Sequence, residues 1–94
     1  MAAEVEELSV NYEEDGVLVV KELDKEILSK GAWTTILFRY QDLDKKTNEY
    51  SADRYVIRRY QKKDGAYQSK SKFKISSPEQ ASKIVATLQR WLAP

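Results

Sequence analysis

The sequence predicts an α+β domain: a four-stranded antiparallel sheet followed by one C-terminal helix (ββββα). Three observations carry that expectation. Apolar and polar residues alternate with a period of two in successive segments between Val17 and Ile75. An Asp64-Gly65 pair of the hairpin type separates the last two segments. After Ser77-Pro78 the apolar residues change to helical spacing.

Residues 1 to 7 are acidic and read as a frayed tail, and residues 1–15 as a flexible acidic segment ahead of a single domain at 16–94. Leu8 to Tyr12 alternates before the turn Glu13-Glu14-Asp15-Gly16, and Val17-Leu18-Val19-Val20 begins the first main strand. Lys21 to Lys30 is ambiguous between a short helical face and a bulged continuation of that strand, and Lys30-Gly31 ends it. Ala32 to Gln41 reads as the second strand, with Trp33, Thr35 and Leu37 on one face and Thr34, Ile36, Phe38 and Tyr40 on the other. Asp42 to Asn48 is a polar loop. Asp53 to Gln61 forms the third strand, with Tyr55 and Ile57 opposite Val56 and Tyr60. In the fourth, Ala66 to Ser76, alternation places Tyr67, Ser69, Ser71, Phe73 and Ile75 on one side and Gln68, Lys70, Lys72 and Lys74 on the other.

Ser77-Pro78-Glu79-Gln80 is a helix start: Ser77 caps, Pro78 suits the first position and Gln80 suits a capping box. Ala81, Ile84, Val85, Leu88 and Leu92 then form one apolar stripe, expected to cover the apolar face of the sheet.

Composition narrows function. Ninety-four residues suit one domain, and ten aromatics (six Tyr, two Trp, two Phe) supply enough apolar surface for a core. The absence of cysteine excludes disulfides and thiolate metal sites and makes a cytoplasmic location the default, at the nucleoid if the source is bacterial. No apolar run reaches the length of a membrane span. Without histidine or cysteine, the usual general base and thiol nucleophile are missing, so no enzyme and no cofactor are expected. Asp42-x-Asp44 lacks the further ligands and turn glycine of a calcium loop, so no metal is expected there.

The net charge of +1 hides an asymmetry. Residues 1–28 hold nine acids against two lysines, whereas residues 29–94 hold fourteen bases against six acids. Eight bases fall between residues 54 and 74, with Asp64 as the single acid. A solubilising face ordinarily mixes signs, so this block points to an anionic partner. Lysines two apart on a strand stand about 6 to 7 Å apart, close to the phosphate spacing of an extended single strand. The candidate binding residues are the bases Arg39, Arg58, Lys62, Lys63, Lys70, Lys72 and Lys74, with Trp33, Tyr60 and Tyr67 as stacking surfaces. The expected ligand is single-stranded DNA or RNA, bound with little base specificity. The alternative is a protein-interaction module whose basic face meets an acidic partner or the acidic N-terminal segment.

Ile57-Arg58-Arg59-Tyr60, the turn with Gly65, the basic strand and Ile75-Ser76-Ser77-Pro78-Glu79-Gln80 with its helix together resemble the positive cofactor four family of transcriptional coactivators and its bacterial relatives. The resemblance spans about residues 17–92. It implies a homodimer joined largely through the helix, single-stranded DNA on the opposite sheet face, and a place beside the transcription machinery. It also implies contact roles for Arg58, Tyr60 and Lys70. Gln61 stands where the family has a further aromatic, and the junction from Ile75 to Pro78 is one residue longer.

Overall fold

A computed structural model describes residues 4–94. A single 3-10 turn, Val5–Glu7, precedes six strands: β1 (Tyr12–Glu14), β2 (Val17–Ser29), β3 (Trp33–Asp44), β4 (Glu49–Tyr50), β5 (Arg54–Lys63) and β6 (Ala66–Ile75). The helix α1 (Pro78–Leu92) closes the chain. The main sheet is antiparallel in the order β1-β2-β3-β5-β6, and β4 pairs with the end of β3. The α+β class therefore holds, with more strands than four. The two extra strands are short, formed where the turns before Val17 and after Asp44 fold back on their neighbours.

The turns follow their residues. Asp15-Gly16 and Asp64-Gly65 all have positive φ (51° and 78°, 53° and 80°), the geometry that joins strands by a tight turn matching their twist. The ambiguous stretch after Lys21 is a strand. Its register with β3 shifts between Glu22 and Asp24 and again between Ile27 and Ser29, so two irregularities break the alternation that would have announced it.

One face of the sheet is packed. Thr34, Ile36, Phe38 and Tyr40 of β3 and Val56 and Tyr60 of β5 are buried there, in agreement with the alternation of those strands. What covers them is not the helix. Val5, Leu8 and Val10, at 3%, 6% and 6% exposure, complete this core, so the acidic segment is a strap laid across the sheet and not a free tail. Lys25 Nζ donates to the carbonyls of Glu6 and Leu8, each at 2.7 Å, and Lys30 pairs with Glu6 at 3.4 Å. Asn11 Oδ1 accepts from the Glu22 amide at 2.7 Å, and Ser9 Oγ donates to Glu22 Oε1 at 2.7 Å. Residues 1–3 of the expected tail lie outside the described residues.

The helix starts as its residues dictate. Ser77 Oγ accepts from the Gln80 amide at 3.1 Å, and Pro78 opens the first turn. Gln80 Oε1 reaches back one residue further than a capping box, accepting from the Ser76 amide at 2.6 Å. No residue of α1 is buried. Val85, Leu88 and Leu92 of the apolar stripe are 54%, 47% and 80% exposed, and Trp91 beside them is 72% exposed, so the expected seating of this stripe on its own sheet does not occur. The two-residue link Ser76-Ser77 sends the helix off the end of β6 near Tyr55, and the strap already occupies the packed face.

The result is a thin molecule, 51 × 38 × 17 Å, with a radius of gyration of 15.2 Å. A compact domain of this length has about 12 Å. The opposite, open face carries Leu37, Ile57 and Phe73 in one row across three strands, with Phe73 52% exposed.

Candidate nucleic-acid interface

The packed face is not apolar to its edge. From Val56 towards β6 it turns basic, because alternation on β5 brings Arg58 to the same side as Val56 and Tyr60, and pairing sets Lys72 opposite Arg58 and Lys74 opposite Val56. Arg58 is half-buried, and its Nε is enclosed without a protein acceptor among the described residues. Directly opposed like charges repel across a sheet, so the Arg58–Lys72 pair is a place where an anion would be stabilising.

These three cations form one wall of a groove of about 320 Å³. Tyr40 and Val56 lie at its floor, and residues 9 to 12 of the strap and β1 form the other wall. Asp42 is the one carboxylate on the lining, and Arg54 neutralises it at 3.1 Å. No ion pair within 4 Å involves Arg58, Lys62, Lys70, Lys72 or Lys74 among the described residues. Their charge is therefore uncompensated at close range.

The fourth main strand departs from simple alternation. Between Arg59 and Tyr60 the partner residue jumps from Ser71 to Ser69, leaving Lys70 in a bulge. One extra residue inverts the faces beyond it. Tyr67 consequently comes to the packed side, where it packs against the core, donates to the Gly31 carbonyl at 3.3 Å and lies 5.5 Å beneath the Lys62 ammonium. Lys72 and Lys74 keep the expected side, whereas Lys70 is not in row with them.

The other candidates divide. Tyr60 is 4% exposed, so its ring belongs to the core and presents no surface to a base. Burial pushes its phenol above the ordinary range, with the charge of Arg58 opposing. Trp33 lies on the open face, 43% exposed, with the Arg59 guanidinium 4.5 Å above its ring. Arg39 is also on that face, 3.8 Å from Asp53. Lys63 is exposed at the turn beside Asp64. The structure thus brings Arg58, Lys72 and Lys74 together, adds Lys62 and Tyr67 further along the same face, and sets Trp33 and Arg39 apart. Tyr12 and Asn11 line the groove but were not among the expected residues. The signal for Tyr12 is the Leu8-x-Val10-x-Tyr12 alternation, which puts it on the side of the two buried residues.

Of the expected loop from Asp42 to Asn48, the first three residues belong to the end of β3 and residues 45–48 form a built turn. The Asn48 amide donates to the Asp44 carbonyl at 2.7 Å, and Asp44 Oδ1 accepts from the Lys46 amide at 2.8 Å. No helix among the described residues is long and apolar enough to cross a membrane.

No family model, curated protein or solved structure matches the chain.

Proposed function

We propose that the protein binds single-stranded nucleic acid, DNA foremost, along the groove between the strap and β6, with little sequence specificity. The convergence of Arg58, Lys72 and Lys74 on one open groove with no carboxylate to pair them carries this reading. A phosphate placed there relieves the repulsion between the opposed cations Arg58 and Lys72. The groove runs over a sheet, and no basic recognition helix is present among the described residues, so an extended strand suits it better than the major groove of a duplex. The resemblance to the positive cofactor four family points the same way. A role as a transcription or DNA-maintenance cofactor in the cytoplasm or nucleoid belongs to the same reading.

The working form is a homodimer. The solvent-accessible surface is 6900 Å², against about 5600 Å² for a compact monomer of this mass. The excess is of the size that a subunit loses in a stable interface, roughly 800 Å² or more per partner. The open face with Phe73 and the helix stripe with Leu88 and Trp91 are the apolar surfaces to be covered. Sedimentation or light scattering should give twice the chain mass for the wild type. The double substitution Leu88→Glu with Trp91→Glu, at positions exposed in the monomer, should give a folded monomer. A wild type that stays monomeric at tens of micromolar contradicts this.

One observation favours a second reading. Lys25, on the packed face, already holds the backbone of the protein's own acidic strap, and Lys30 at the turn after β2 pairs with its Glu6, so a polypeptide of this kind fits against this face. On that reading the groove docks an acidic partner protein, and binding to oligonucleotides would be weak at low salt.

A further inference from the structure

We infer that Tyr12 is the stacking surface of the groove, on which one base at a time sits with its phosphate towards Arg58, Lys72 and Lys74. The inference rests on the nucleic-acid reading above and specifies how a base would sit.

The cationic wall accounts for a phosphate but offers no aromatic surface, because Tyr60 and Tyr40 are buried at 4% and 5% exposure. Tyr12 does offer one. It pairs with Val20, which packs against the core, so its ring stands on the packed side of the sheet, and it is 55% exposed. It faces the groove from the wall across from Lys72 and Lys74. A base stacked on that ring would leave its phosphate directed at the cations. The groove volume of about 320 Å³ is at the small end for ligand sites, about 300 to 1000 Å³, and suits a single nucleotide.

Asn11, also on the lining, is held by the Glu22 amide, which donates to its Oδ1 at 2.7 Å, and so fixes the chain just before Tyr12.

The test titrates labelled oligo(dT) and inorganic polyphosphate with wild type and Tyr12→Val, each checked for an unchanged thermal transition. Valine keeps the strand propensity at position 12 without the ring. Tyr12→Val should weaken oligo(dT) binding by about 5- to 100-fold, the range for loss of one stacked base, and leave polyphosphate binding as it was. If the wild type binds oligo(dT) and the substitution leaves that affinity unchanged, the stacking surface is elsewhere and the wider reading stands. If the wild type does not bind oligo(dT), both readings fall together.

Discussion

Deleting residues 1–10 should abolish cooperative folding or lower the melting temperature by tens of degrees, although the segment carries three of the chain's acids and looks dispensable by composition. Those acids are Glu4, Glu6 and Glu7. Val5, Leu8 and Val10 are three of the eight buried hydrophobic residues among those described. Burying an aliphatic side chain contributes roughly 1.5 to 3 kcal/mol, so removing the three forfeits about 5 to 9 kcal/mol, comparable to the whole stability of a small domain. Deletion also uncovers Ile36 and Phe38, both at 0% exposure, and frees the Lys25 ammonium from two carbonyls. The milder Leu8→Ala should cost about 2 to 5 kcal/mol in denaturant unfolding. A truncated chain that melts like the full one would mean that the strap is not part of the core. This result also governs how any gain in affinity on truncation is read, since a partly unfolded basic chain binds polyanions unspecifically.

Reversing Lys72 and Lys74 to Glu together should remove most of the single-strand affinity without loss of fold. Each phosphate contact contributes about 0.7 to the slope of log affinity against log salt for a single strand, so loss of two lowers that slope by about 1.4. Stability should hold or rise, because Lys72→Glu sets a carboxylate opposite Arg58 and replaces a repulsive pair with an attractive one. The same new pair would also withdraw Arg58 from the ligand, so the loss should exceed that of two independent lysines. Lys62→Glu with Lys63→Glu, near the turn at Asp64, is the comparison and should weaken binding less. Binding of the doubly reversed variant with the wild-type slope would place the site on another surface.

The contrast between these two regions shows what the sequence conveys. Hairpin turns, the cap at Ser77, the faces of β3 and β5 and the clustering of cations between residues 54 and 74 are local, and each follows from the residues at that place. The bulge at Lys70 is set by pairing with β5 and leaves no mark in the alternation of β6 itself, so Tyr67 changed sides and Lys70 left the row. Tyr60 shares the parity of Arg58, but parity does not say which of two neighbours reaches solvent, and the larger ring went inward. The strap was obscured by its charge. Glu6 and Glu7 are exposed while Val5 and Leu8 on the other side are buried, an amphipathic pattern too short to stand out. The helix stripe is legible as apolar, yet it is not seated on this chain's own sheet.

The central claim is tested most directly by fluorescence anisotropy of a labelled, mixed-sequence oligonucleotide of about 20 nucleotides, single-stranded and duplex, titrated at two salt concentrations. The account expects binding that favours the single strand and weakens as salt rises. Absence of binding to either form at low salt, or an equal affinity for the duplex, would contradict it and direct attention to an acidic protein partner for the same groove.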